Sequence, residues 1–155
     1  MGDHPAWGVA LLRMMLGVIF VMHGWYAWAI IGPRDLTDLM VRVGNPPGIA
    51  TLLAWYTIAA HLIGGALLTV GFLTPWAALG QVPITAGGLF LFRWPQGFFL
   101  HGTIVDPAPG RPVVSGYEYS LLILVGTLAL VMTGAGALSI DHARGHRIHK
   151  RMEVP

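Results

Sequence analysis

The run Leu11 to Ile31 (LLRMMLGVIFVMHGWYAWAII) limits what this chain can fold into more than any other stretch. Beyond Arg13 it offers about twenty residues with His23 as the one acid or base, and that many apolar residues at ~1.5 Å each cross a hydrocarbon core of ~30 Å. In lipid the backbone must satisfy its own polar groups, so the run predicts a transmembrane helix over about residues 8–31. At about 100° per residue, Arg13, Gly17, Phe20, Gly24 and Trp28 fall on one narrow stripe, with His23 on its flank. Glycines, large aromatics and a charge on one side predict a face that meets other helices rather than lipid.

The composition agrees. A chain of 155 residues that is 55% hydrophobic and 10% charged, with a mean hydropathy of +0.66, falls among membrane proteins and should fold as one unit. The first helix is too long for a signal-peptide core and lacks a small-residue cleavage site before Trp28 and Ile31, so it is read as permanent. The sequence contains no cysteine, which excludes disulfides, thiolate catalysis, cysteine-ligated iron–sulfur clusters and covalently attached c-type haem. Any redox role then falls to a histidine-bound metal, a bound quinone or a partner's cofactor.

Trp7 is placed to anchor one membrane surface, and Trp25, Tyr26 and Trp28 mark the other. Gly32 to Gly48 intersperses Arg34, Asp35, Asp38 and Arg42 with Leu36, Leu39, Met40 and Val43, the pattern of a short amphipathic surface helix closed by Asn45-Pro46-Pro47-Gly48. From Val43 to Phe92 no Asp, Glu, Lys or Arg occurs, too long a run for one span. Gly71 can end a helix and Pro75 can begin the next, which divides the run into spans at about 49–71 and 76–93. Pro83 should kink the second of these, with the freed carbonyl facing protein. Arg93 to Ser115 is rich in proline and glycine yet carries Phe98, Phe99 and Leu100, so it is expected to fold back over the mouth of the bundle as an ordered extracytoplasmic loop. The last apolar run predicts a helix over about 117–138.

The expected fold is therefore an all-α membrane protein, a four-transmembrane-helix bundle over residues 1–141 followed by a basic tail, 142–155. Arg144, Arg147, Lys150 and Arg151 in that tail place both termini in the cytoplasm by the positive-inside rule. The tail is read as a topogenic segment that binds anionic lipid, or alternatively docks on a partner subunit. Fixed against the bilayer, so short a cluster does not predict nucleic-acid binding.

Three side chains stand out as candidates for binding quinone or lipid: Arg13, His23 and His61. Arg13, one to two turns inside the membrane, either snorkels to the headgroups or pairs with Asp141, or else binds an anionic headgroup or substrate. His61 is the one side chain between Val43 and Phe92 that titrates near neutral pH. It shares a helix face with Ala54, Thr57, Gly65 and Leu68 and should point into the bundle, either as a neutral hydrogen-bonded imidazole or as a quinone donor, proton relay or metal ligand. Counted from the helix ends, His23 and His61 differ in depth by roughly 9 Å, which disfavours a haem held between them. His101 and Asp106 in the outer loop are two potential metal ligands without a third, so no metal site is expected. Gly17, Gly24, Gly64, Gly65 and Asp141 are expected to act structurally between helices.

Taken in order, LLRMMLGVIFVMHGWYA in helix one, GNPPG before helix two, HLIGGALLTVGFLTPWAAL across the second hairpin, GFFLHG in the outer loop and GYEYSLLILVGTLALVMTGAGALSID at the last helix resemble the DoxX family over nearly the whole chain. The resemblance implies a four-helix protein of the bacterial inner membrane or archaeal plasma membrane. It also implies kinship with small subunits of quinol-oxidase, thiosulfate:quinone and other membrane oxidoreductase complexes. Arg13, His23, Gly24, Gly64, Gly65, Tyr117, Glu118 and Asp141 match the family's motif positions. Where the family usually carries glutamate before the helix-two glycines, this chain carries His61, so a buried arginine–carboxylate pair between helices one and two is unavailable.

The leading expectation is an accessory subunit of a membrane electron-transfer complex, without a covalently bound cofactor and without catalytic activity of its own. Its expected partners are the lipid bilayer and other membrane subunits, and it would line a quinone or lipid site. A quinone-reducing subunit that uses His61 and Arg13, and a small-solute carrier, are the alternatives.

Overall fold

The computed structural model describes residues 4–99 and 116–144, and the described residues form helices and turns without a strand. Three continuous rods are long and apolar enough to cross a membrane: Ala6–Ile31, Pro47–Val70 and Thr74–Gln96. The first consists of α1 (His4–Trp25) and a π-helical turn, Tyr26–Ile31. The second joins α3 (Pro47–Ala59) to α4 (Gly65–Val70) through a π-helical turn at Ala60–Gly64. The third runs from α5 (Thr74–Gly87) through a π-helical turn, Gly88–Arg93, into a 3₁₀ turn at Trp94–Gln96.

Between the first two rods lies α2 (Pro33–Arg42), entered through Gly32 at φ 86° with proline at its first position. Its charged residues Arg34, Asp35, Asp38 and Arg42 are exposed, while Leu36 is buried against Ala27, Ala54 and Ile58. One apolar edge thus docks α2 on the ends of two rods, as an amphipathic surface helix should.

The second and third rods meet in a tight hairpin. Gly71 takes the left-handed conformation (φ 70°) that ends α4, and Pro75 stands in the first turn of α5. Pro83 lies inside α5, and the carbonyl of Gly80 just before it accepts a 2.6 Å hydrogen bond from the Tyr56 hydroxyl on the neighbouring rod. The carbonyl that loses its N–H partner to the proline is that of Leu79, one residue earlier, and the Tyr56 contact ties the adjoining turn to the neighbouring rod.

Helix α6 (Glu118–Thr133) packs on α5 and α1. Here the structure departs from the apolar pattern, which predicts a helix to residue 138. The helix stops at Thr133, followed by Gly134 (φ 77°) and Gly136 (φ 65°), and helical structure resumes only at 140–144. Apolarity reports depth, not conformation: the segment 134–139 is apolar yet non-helical because other groups satisfy its carbonyls. Sixteen residues give α6 a length of about 24 Å, short of a full crossing.

A core of Leu16, Phe20, Leu68, Ala77, Ala78, Ile123 and Leu130 joins α1, α4, α5 and α6. Outward-facing Met132, Trp76, Leu52 and Leu122 are each more than two-thirds exposed, the distribution expected where the surrounding solvent is lipid. Trp28 leaves the inward stripe predicted for helix one. It is 48% exposed and meets Trp25 edge-on at 5.5 Å, while Ala27 is buried instead; at a helix end an indole gains more from the membrane interface than from the core. Phe98, past the third rod, packs edge-on to Tyr117 (5.3 Å) and Trp94 stacks on Tyr117 (4.8 Å). Residues 100–115, with His101 and Asp106, and the tail with Arg147, Lys150 and Arg151, lie outside the described residues.

Candidate functional site

Chain direction gives the bundle two different ends. The hairpin at Gly71, the N-terminal turn and the segment 134–144 share one end; Arg93, Gln96 and the start of α6 share the other.

At the terminal end Arg13 is fully buried. Its Nε donates to the Ala135 carbonyl (2.9 Å), Nη1 to Leu68 and Thr69 (2.6 and 2.8 Å), and Nη2 to Leu138 and Ala137 (2.9 and 3.4 Å). A guanidinium has five N–H donors, and five carbonyls take them. Two belong to the last turn of α4, whose dipole is negative there, and three belong to the non-helical segment after α6. Gly71 makes room for this: a Cβ there would lie 2.7 Å from Arg13 Nη1.

Asp141 works on the other side of the same hairpin. Its Oδ1 accepts from the Leu73 amide and its Oδ2 from the Thr74 amide, both at 2.9 Å, while its own N–H donates to the Gly71 carbonyl at 3.0 Å. Leu73 holds a left-handed φ of 50°, unusual for leucine, and this carboxylate pins its amide. Burial alone would raise the Asp141 carboxyl, but the Thr74 and Leu73 amides and the Arg144 charge together hold it below its usual range. Arg144 also lies over the Phe72 ring at 4.8 Å. The pairing of Arg13 with Asp141 is indirect: each binds backbone of the same turn.

The glycines sit where helices cross. A Cβ on Gly17 would lie 2.6 Å from the Thr69 amide nitrogen, one on Gly65 2.8 Å from that of Val21, and one on Gly24 2.8 Å from that of Leu62. Across Gly64 stands the Gln81 amide, at 2.6 Å from such an atom. The first three approaches set the register of the first rod against the second, and the last joins the second to the third.

That register brings His23 and His61 together. Their ring centroids are 6.4 Å apart and nearly perpendicular, and Phe20 lies 5.2 Å from His61. The 9 Å depth offset expected from the sequence is therefore wrong. The ends of the apolar runs do not fix depth; it is set where Gly24 seats against His61 and Leu62. Both rings line a cavity of about 580 Å³ that reaches towards the far end. Phe20, Ile84, Phe92 and Ile123 supply apolar wall, and Thr85, Arg93, Tyr119 and Ser120 add polar groups. Its size lies within the range of small-molecule sites. Arg13 is not on its wall.

Sequence reasoning overlooked Gln81. It is fully buried, and its Nε2 donates at 2.5 Å to the carbonyl of Ala60, at the head of the π-helical turn that carries His61. His61 is 8% exposed; its Nδ1 and the Gln81 Oε1 are buried atoms that make no hydrogen bond within the described residues. A glutamine in the charge-free run, two residues before the helix-breaking Pro83, was the available signal. No group of three or more metal-ligating side chains occurs among the described residues.

A family model described as DoxX matches residues 8–94. Two curated proteins are similar over 86% of the chain. One is "Putative oxidoreductase CatD" of Bacillus subtilis, 28% identical with 84% of its length covered. The other is "Inner membrane protein YqjF" of Escherichia coli, 29% identical with 89% covered. No solved structure matches the chain significantly.

Proposed function

The chain belongs to the DoxX family of membrane proteins, and on that premise we propose that it is an accessory subunit of a quinone-linked electron-transfer complex that holds a quinone or lipid in the cavity beside His23 and His61. The observation that carries this reading is His61: a buried imidazole beside the His23 ring, on the wall of a 580 Å³ cavity between helices of membrane length. Two imidazoles on the wall of an otherwise largely apolar cavity of this size give a ligand fixed points for hydrogen bonding. A flat ring bearing oxygens suits walls of Phe20, Phe92 and Ile123 interrupted by imidazole, hydroxyl and guanidinium groups.

In this reading residues 1–141 form a four-span bundle, in which α6 and the segment 134–139 together complete the fourth crossing, and 142–155 form a basic tail. Both termini face the cytoplasm of a bacterial or archaeal cell, with the tail on anionic lipid. The Arg13 clamp closes the cytoplasmic end, so ligand reaches the cavity from the lipid or the outer surface. Arg13 contributes by holding the bundle shut, not by touching ligand. The name of the Bacillus subtilis relative, as an oxidoreductase, agrees with a redox setting. The chain itself supplies binding groups, with electrons delivered by a partner subunit.

The test is to purify the protein from native membranes in mild detergent, identify co-migrating subunits, and extract and identify bound quinone. Titration with a short-chain ubiquinone, read by tryptophan quenching, then compares wild type with His61→Ala. Bound quinone, a co-migrating redox subunit and at least ~tenfold weaker binding by the variant support the proposal. A lone protein that binds no quinone and is indifferent to His61→Ala sinks it.

A further inference from the structure

Two histidines on one cavity wall pose a question of donors and acceptors. His23 Nδ1 lies 2.9 Å from the Ile19 carbonyl, and a carbonyl can only accept. A neutral His23 therefore carries its proton on Nδ1 and leaves Nε2 as an acceptor.

The same logic extends to His61 through Gln81. The Gln81 amide nitrogen must face the Ala60 carbonyl to which it donates, which turns Oε1 the other way. Oε1 is buried without a hydrogen bond, the His61 Nδ1 is buried without a hydrogen bond, and the Gln81 side chain interacts with the His61 ring. An acceptor and a ring nitrogen, both buried and unpaired, on a side chain anchored at Ala60 and on the residue that follows it, are satisfied together if Nδ1 carries the proton. The nitrogen left for the cavity is then Nε2, again an acceptor.

We propose that Gln81 is a positioning residue that fixes His61 as the Nδ1–H tautomer, so that the cavity presents two acceptor nitrogens and selects a ligand through a ring hydroxyl: a quinol in preference to the corresponding quinone. This rests on the reading of the cavity as a quinone site and names the redox form it takes. A quinone carbonyl opposite Nε2 would leave two acceptors facing each other in an apolar surround; a quinol hydroxyl donates to that atom. No bond is made or broken in this step.

The experiment has a ligand-free arm and a binding arm. In the first, the imidazole ¹⁵N shifts of His61 are read in the intact protein in nanodiscs. Nδ1 protonated in wild type and a mixed or inverted tautomer in Gln81→Leu support the proposal; Nε2 protonated in wild type overturns it without reference to any ligand. Gln81→Glu keeps an acceptor for Nδ1 and should retain the wild-type tautomer, which preserves the test if Gln81→Leu fails to fold; an inverted tautomer in this variant overturns the proposal.

In the second arm, short-chain ubiquinol and ubiquinone are titrated under argon. Wild type should favour the quinol by about tenfold or more. Gln81→Leu should lose most of that preference, and should lose nothing further in a His61→Ala background, since Gln81 acts through His61. Equal affinity for the two forms, or preference for the quinone, overturns the proposal while leaving the cavity a quinone site. Binding of neither form overturns the cavity reading and this preference with it.

Discussion

Arg13 and Asp141 grip opposite sides of one hairpin turn: the guanidinium donates to the Leu68 and Thr69 carbonyls before Gly71, and the carboxylate accepts from the Leu73 and Thr74 amides after it. Each charge lies against the helix end of opposite polarity, α4's C-terminus for Arg13 and α5's N-terminus for Asp141. Two ionised groups are thereby accommodated at the bundle end through backbone, and the same contacts tie the segment 134–141 to the hairpin.

Arg13→Ala should be strongly destabilising. It strips donors from five carbonyls, three of them on a non-helical segment with no intrahelical substitute. With unsatisfied buried groups at about 1–3 kcal/mol each and partial rescue by water, the loss should reach ~3 kcal/mol or more. Arg13→Lys, with three donors and no planar fork, should recover only part of it. Unfolding in detergent followed by circular dichroism measures both; a wild-type midpoint for Arg13→Ala would refute the clamp.

Glycine substitutions should separate by sign. At Gly17 a Cβ would lie 2.6 Å from the Thr69 nitrogen and 2.8 Å from the Gly65 oxygen, so Gly17→Ala should push the rods apart and cost about 1–3 kcal/mol. Gly87, helical with open space around its Cβ position, should accept alanine with a gain of up to ~1 kcal/mol. Thermal midpoints moving in the same direction would contradict the crossing described.

The Asp141 cap predicts a pH dependence. The folded carboxyl titrates below its unfolded value, so its contribution to stability is present above the unfolded pKa of ~3.9 and is lost as pH falls through the lower folded value. Asp141→Asn should cost about 1 kcal/mol near neutrality, as for loss of a helix cap, and should remove that part of the acid sensitivity. Denaturation profiles between pH 2 and pH 7 (about the range of carboxyl titration) distinguish the two proteins; parallel curves would refute the role.

Ser120 lies on the cavity wall near the far end. Ser120→Phe should fill part of the space and weaken short-chain ubiquinone binding by about tenfold or more, with little change in thermal midpoint. Unaltered binding would place the ligand elsewhere.

Much of the architecture is legible because membrane depth is written in residue type. Long apolar runs with at most one charged residue fix the three long rods, Gly71 and Pro75 fix the hairpin, and the spacing of Leu36 among charged residues fixes α2 as a surface helix. The end of α6 is not legible in this way. An apolar segment and an apolar helix read alike, and Thr133 is the last helical residue because Gly134 turns away and Arg13 takes the carbonyls beyond it.

The sequence by itself determined that this chain is helical, apolar enough for a bilayer and divided at its glycines and prolines, since hydrophobic period, charge and backbone freedom are properties of residue type. Only the tertiary structure decided what its few polar side chains do. Arg13, Gln81 and Asp141 all bind backbone groups. Every residue carries a carbonyl and nearly every one an amide, so the identity of those partners has no signature in the letters and follows from register. For the same reason His23 and His61 meet at 6.4 Å: the close seat of Gly24 on the second rod, not the count of residues from a helix end, sets the depth at which two rings share a cavity.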